Sequence, residues 1–337
     1  MATSPGPFQA RAVTGRVADL RQLARVEKYT TSGGGLRARL ITAGGFDVEV
    51  LLERGMDLGT VTWQGIPLGF CTPALWQAPP PGGSSEDFGR RFGAGMLTTC
   101  GLDQFGSPNL DAGQHLPQHG RATELPAGEV STAARWTVNG YEIEITGQLR
   151  QWRLFGEDLG WHRRISALLG SNVLLVEDTV INQGTKRWPH MMLYHFNIGY
   201  PLLDAGTTVE VIGSNTPPAA RDEAATSGMA TWDVFPEPAT EYPEQVFRHD
   251  LDPAGPGELR IHNAQLGIAV TVAVDPTVLP WAFQWKSAVA GTYAMGIEPA
   301  NCPTVDGRAA ARALGRLPEL EPGESQSYQV RMSVDAA

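Results

Sequence analysis

Four stretches of this chain alternate their side chains with a period of two: Phe46–Leu52, Tyr141–Ile145, Ile268–Val274 and Tyr328–Val334. A period of two sends successive side chains to opposite faces of an extended backbone, so each stretch predicts a β-strand. Gly, Pro, Asn and Asp bound them, and the 39 Gly and 25 Pro residues supply the breaks between strands. No regular series of amphipathic helices separates the strand-like stretches, which disfavours a parallel βαβ sheet. Neither a G-x-G-x-x-G loop after a strand nor a P-loop is present. The expectation is an all-β, large antiparallel sandwich. A sandwich of this size fits one domain over residues 1–337, since all-β units run to roughly 200–250 residues or more. The one helical pattern is Val17–Tyr29, where Val17, Leu20, Leu23 and Ala24 recur at near-helical spacing, predicting a short helix within an extension over residues 1–30. Gln77–Gly89 (QAPPPGGSSEDFG) reads as a loop lying over a rim, and a second Pro/Gly/Thr-rich region runs from Gly206 to Pro243.

Charge and cysteine usage narrow the function. The net charge of −10 offers no basic face for phosphate backbones, so nucleic acid is not an expected partner. The opening MATSPGPFQARAV has no apolar core of a signal peptide, and no apolar run approaches the roughly 20 residues needed to span a bilayer. Three cysteines, an odd and sparse count, fit a reducing compartment better than a disulfide framework. A cytoplasmic protein without membrane contact is expected. The sequence leaves the oligomeric state open, a homodimer included.

Chemistry concentrates in three places. Met191–Leu203 (MMLYHFNIGYPLL) is apolar on both sides of His195 and Asn197, which share one face of a regular strand. An unpaired polar group in such surroundings costs about 1–3 kcal/mol, so His195 needs a partner, whether protein or substrate. Gln118–Arg121 (QHGR) sets His119 beside Gly120, and Arg121 offers a planar fork of donors or else pairs with Glu124 on the surface. Gly296–Asn301 (GIEPAN) places Glu298 at the end of an apolar strand, where burial would raise its pKa toward that of a useful base. Asn301 and Arg308 follow as candidate substrate contacts. Arg54 and Asp57 in ERGMDLG either pair with each other or reach a ligand, and Trp285 and Lys286 in WAFQWKS offer an aromatic face and a cation. His190 lies five residues before His195, hence on the other face. Cys100 is weighed as a nucleophile against the commoner role of a small buried side chain. His115, His119, His190, His195 and Glu298 have no H-x-H or H-E-x-x-H spacing, so no metal site is expected from local pattern.

Taken together, ERGMDLG (Glu53–Gly59), LTTCGLDQFGSP (Leu97–Pro108), QHGR, LYHFNIGYPLL (Leu193–Leu203) and GIEP (Gly296–Pro299) resemble the galactose mutarotase-like superfamily of aldose 1-epimerases, and more closely its DUF4432 group. The resemblance implies a β-sandwich holding a sugar on an open concave face. It implies His195 as general acid, Glu298 as general base, His119 at the ring oxygen, and Arg54 at substrate hydroxyls. The RGMD stretch departs from the usual mutarotase pattern. Asp57, Arg121, Asn197, Lys286 and Asn301 complete the expected substrate contacts.

Anomer interconversion opens a cyclic hemiacetal, which takes one acid, one base and donors to hold the remaining hydroxyls. It requires no cofactor. Two other readings stand beside it: an isomerase or epimerase acting at a carbon next to a carbonyl, with or without a metal, and a carbohydrate-binding module without catalysis.

Overall fold

The computed structural model describes residue 13 and residues 15–77, 88–214 and 216–336. Two large antiparallel sheets form the molecule. In spatial order, the first runs Ala24–Thr30, Leu36–Thr42, Phe46–Leu51, Asp57–Trp63, Leu97–Cys100, Leu193–Ile198, Thr292–Ala300, Trp281–Val289, Gln245–Asp250 and Ala219–Ala220, with Ile66–Pro67 paired to the Asp57–Trp63 strand. The second runs Thr208–Ile212, Glu258–Asn263, Ile268–Val274, Ser325–Ala336, Val173–Asn182, Asp158–Leu168, Gly140–Trp152 and Gly128–Thr137. The four alternating stretches of the sequence lie in these strands, save Leu52, which follows the end of Phe46–Leu51.

Between the sheets sits one continuous apolar core. Tyr194, Phe196, Ile198, Met295 and Ile297 of the first sheet join Ile143, Ile165, Val176, Val270 and Val330 of the second. One polar tie crosses it. Arg163 donates to Asp57 (2.9 Å), to Asp178 (2.8 Å) and to the Gly55 carbonyl (3.1 Å). A buried guanidinium flanked by two carboxylates keeps its charge compensated. Asp57 therefore serves the core, and the expected Arg54–Asp57 pair is replaced by Arg163–Asp57.

The other face of the first sheet is covered by loops rather than by a sheet. Leu193, Phe283 and Ala300 pack there with Phe105, Cys302 and Val305 in a second, smaller cluster. The central strands are thus buried on both faces, which is why Met191–Leu203 is apolar throughout. Residues of one parity face the core, and His195, Asn197, Gly296 and Glu298 share the loop-covered face.

The N-terminal helix expected over Val17–Tyr29 is corrected. Leu20–Gln22 forms one 3₁₀ turn, and Ala24–Thr30 is a strand paired to Leu36–Thr42 through the Gly33–Gly35 turn. Val26, Tyr29 and Thr30 favour the extended chain, and strand pairing outweighs a marginal helical spacing. Residues 1–12 and 14 of the extension, and 78–87 of the rim loop, lie outside the described residues. No helix among the described residues is long and apolar enough to cross a membrane.

Candidate active site

His195 and Glu298 meet on the loop-covered face. The Leu193–Ile198 strand pairs with Thr292–Ala300, setting Phe196 opposite Ile297 and Asn197 opposite Gly296. This register brings His195 Nε2 to 3.1 Å from Glu298 Oε1. Both residues are nearly closed to solvent, at 6% and 3% exposure. They touch each other directly rather than facing one another across an empty cleft.

His119 completes the cluster, its ring centroid 5.8 Å from that of His195 and nearly perpendicular to it. It is half-buried, and its backbone adopts φ 58°, the left-handed region that few non-glycine residues enter. The neighbouring Gly120 explains the local path. A Cβ there would lie 2.2 Å from the Gln104 carbonyl oxygen, so this turn closes only with glycine. The glycine's close approach is therefore to backbone, and it serves to aim the His119 ring. Phe92 and Trp285 wall His195, with centroids at 5.8 and 5.9 Å, and Phe88 lies 5.1 Å from His119.

These groups line a cavity of ≈ 360 Å³, which lies in the range of small-molecule sites. Ser107, Gln118, Arg221, Glu244 and Ser287 add polar groups to the wall. Burial sets the protonation states. It pushes the Glu298 carboxyl up to about 8, with the Glu244 carboxylate adding to the rise and Arg221 opposing it. It pulls His195 down to about 3, helped by His119. His119 falls to about 4, through burial first and then the charge of Arg221. Low dielectric disfavours both charged forms of the contact pair, so His195 and Glu298 hold one proton between them near neutrality. Nδ1 of His195 and Nδ1 of His119 are buried without a hydrogen-bond partner among the described residues.

Other expected site residues are placed elsewhere. Lys286 points to the core side, where its ammonium donates to the carbonyls of Thr231 (2.7 Å), Val234 (2.9 Å) and Trp232 (3.3 Å). Asn301 accepts from Met192 N (2.8 Å) and donates to the His190 carbonyl and the Tyr328 hydroxyl, which ties down a strand end. Arg54 spends its terminal nitrogens on the carbonyls of Ala74, Gln77 and Arg91, and so holds the segments on either side of residues 78–87. Its guanidinium lines a small adjoining cavity together with Asp57 and His119. Arg121 contacts the His115 carbonyl at 3.5 Å, away from the main cavity, while Glu124 pairs with Arg91. Arg308 pairs with Asp103 and Asp111. Asn197 donates to the carbonyls of Gly95 and His195 beneath the floor, its Oδ1 left unpaired among the described residues. His190 bonds the Leu102 carbonyl and the Tyr328 hydroxyl, a core histidine. Cys100 is buried and its thiol is pushed up by desolvation, the reverse of an activated nucleophile. No group of three or more His, Cys, Asp or Glu side chains among the described residues is arranged to hold a metal.

Arg221, Glu244, Phe88 and Phe92 are additions that the sequence did not single out. Phe88 opens the four-residue helix Phe88–Arg91 and Phe92 follows it, while Arg221 and Glu244 flank strands, all in segments too short or irregular for a periodicity to mark a facing direction.

The family model described as a domain of unknown function, DUF4432, matches residues 33–334. The chain belongs to the DUF4432 family. A search of curated proteins gave no match. Among solved structures, the family's fold is shared by a Klebsiella pneumoniae protein provisionally assigned as an aldose 1-epimerase, with TM-score 0.83, 22% identity, and coverage of 92% of this chain and 83% of that one. A galactose mutarotase-like protein from Clostridium acetobutylicum aligns with TM-score 0.64 at 12% identity, over 94% of this chain and all of that one. One from Lactobacillus casei aligns with TM-score 0.55 at 15% identity, over 92% of this chain and all of that one. At these identities the likeness establishes the galactose mutarotase-like sandwich.

Proposed function

We propose that this DUF4432 protein interconverts the anomers of an aldose bound in the His119–His195–Glu298 cavity. The observation that carries the reading is the 3.1 Å contact between His195 Nε2 and Glu298 Oε1 in a nearly closed site. The anomeric hydroxyl oxygen and the ring oxygen are bonded to the same carbon, so two adjacent groups can serve both at once. The shared proton first passes within the 3.1 Å contact from Glu298 to His195. In the forward step the resulting carboxylate takes the proton of the anomeric hydroxyl while the imidazolium of His195 delivers one to the ring oxygen. The bond between the anomeric carbon and the ring oxygen breaks, and the anomeric carbon becomes a carbonyl. Rotation about the adjacent C–C bond presents the other carbonyl face. The hydroxyl re-adds, returning its proton to His195, while Glu298 gives its proton to the carbonyl oxygen. No net proton is gained or lost, which suits a pair that holds one. His119, neutral and fixed by its turn, is positioned to donate to or accept from the ring oxygen. Phe88, Phe92 and Trp285 exclude water and offer apolar faces for the C–H face of a sugar.

The assay is direct. A pure crystalline anomer is dissolved and its optical rotation or proton NMR is followed with and without protein, over a panel of neutral aldoses, uronic acids and sugar phosphates. Equilibration no faster than the buffer rate for every sugar on the panel would defeat the proposal.

A further inference from the structure

Arg221 is the one permanent cation among the described residues that line the cavity, since His119 and His195 are held neutral. It follows the short Ala219–Ala220 strand, and its own N–H donates to the Val246 carbonyl at 3.0 Å. The next residue, Asp222, caps the helix over Glu223–Ser227 through Ala225 N at 2.9 Å. The backbone that carries the guanidinium is therefore fixed on both sides. Its side chain is not. Among the described residues, the only ion pair of Arg221 is a 3.4 Å contact from Nε to Asp306, a carboxylate 56% exposed. Its two terminal nitrogens have no hydrogen-bond partner among the described residues.

This contrasts with the other cations near the site. Lys286 is engaged by three carbonyls, and the two terminal nitrogens of Arg54 by three more. The acidic wall residue Glu244 is also engaged, accepting from Trp285 Nε1 at 2.9 Å. A guanidinium on a fixed stretch of backbone, with two uncommitted terminal nitrogens, fits a planar or tetrahedral oxyanion in fork geometry. An exposed one-point pair such as Arg221–Asp306 contributes little and yields readily to a better-matched anion.

We infer that the sugar accepted here carries an anionic substituent, carboxylate or phosphate, remote from the anomeric carbon, and that Arg221 selects it. The inference rests on the proposed placement of the anomeric carbon at His195 and Glu298. Arg221, His119, His195 and Glu298 line the same cavity of ≈ 360 Å³, so the two ends of one bound monosaccharide can meet the acid/base pair and the guanidinium together.

The test compares glucose and galactose with glucuronate, galacturonate and glucose 6-phosphate, by NMR anomer exchange and by calorimetry. At least one anionic sugar is expected to exceed its neutral parent in kcat/KM by about 100-fold, and which arm wins identifies the carboxylate or the phosphate. Arg221→Gln should abolish that preference through KM, with a far smaller effect on the neutral sugars, and Arg221→Lys should restore part of it. Asp306→Asn should lower KM for the anionic sugar, because it removes the competing carboxylate. Equal handling of neutral and anionic sugars, or an Arg221→Gln defect of equal size on both, overturns the inference while leaving the mutarotase reading intact. If no sugar equilibrates, calorimetry still decides: binding of the anionic sugars must be tighter than that of their neutral parents and must depend on Arg221, and otherwise the inference fails.

Discussion

A Cβ placed on Gly296 would lie 2.4 Å from Glu298 Oε1 and 2.9 Å from His195 Cε1. Residues 296 and 298 are two apart on one strand, so both point to the cavity floor. The glycine vacates the space in which the carboxylate bends back to meet the imidazole. Gly296→Ala is expected to separate the pair while the sheet registers on either side remain paired. A displacement on the order of 1 Å costs about 10²-fold in rate. The expected result is a fall in kcat of that size with an unchanged circular dichroism spectrum. A wild-type rate in this variant would mean that the contact is dispensable.

The proton held by the pair sets the pH dependence. His195 is pulled down to about 3 and Glu298 is pushed up to about 8. Between these values the pair carries one proton. Above about 8 it loses that proton, and the site can no longer deliver one to the ring oxygen. kcat/KM should be flat from about pH 5 to 7 and then fall by about tenfold per pH unit above 8. The measurement is anomer exchange corrected for the buffer rate. A corrected rate that keeps rising through about pH 9 would indicate a lone base. Glu298→Gln should lower kcat by about 10²–10⁴-fold across the whole range.

That same substitution should stabilise the fold, with a sign that follows from linkage. The Glu298 carboxyl has a higher pKa folded (about 8) than its ordinary value of 4.5. Between these values the native state binds more protons than the unfolded chain, so stability falls as pH rises. The amide introduced by Glu298→Gln does not titrate, so the variant escapes this loss. The midpoint of urea unfolding of Glu298→Gln should therefore move above that of the wild type progressively from about pH 5 to pH 8. A constant offset between the two proteins would show that folding does not raise the Glu298 pKa.

The legible part of the site was its strand-borne part. His195 and Glu298 stood out because a titratable group in a doubly buried strand violates the local pattern, and such a violation needs a reason. The antiparallel sandwich was legible in the same alternation. Arg221 and Glu244 were not, because they leave short or irregular segments where no period fixes which way a side chain points. The extended N-terminal segment was hidden because Val17–Tyr29 carries both a helical spacing and strand-forming residues, and only the partner Leu36–Thr42 decides between them.

Trp285 and Lys286 show how much period-2 logic alone settles. Adjacent strand residues face opposite sides, so only one of them can reach the cavity. Trp285 stands opposite Gly296 and walls His195, while Lys286 turns to the core side and caps the carbonyls of Thr231, Trp232 and Val234. Burial lowers its pKa to about 8, yet those three acceptors keep an ammonium favourable there. Lys286→Met preserves the stem and removes the donors, leaving buried carbonyls unsatisfied at about 1–3 kcal/mol each at most. The expected outcome is a loss of stability of about that size in urea unfolding, with KM for the preferred sugar unchanged. Trp285→Ala should do the opposite: it should raise KM by removing a wall of the cavity and a face on which the sugar packs, with a smaller effect on unfolding. If instead Lys286→Met raised KM without changing stability, the ammonium would have to be assigned to the ligand rather than to the loop it holds.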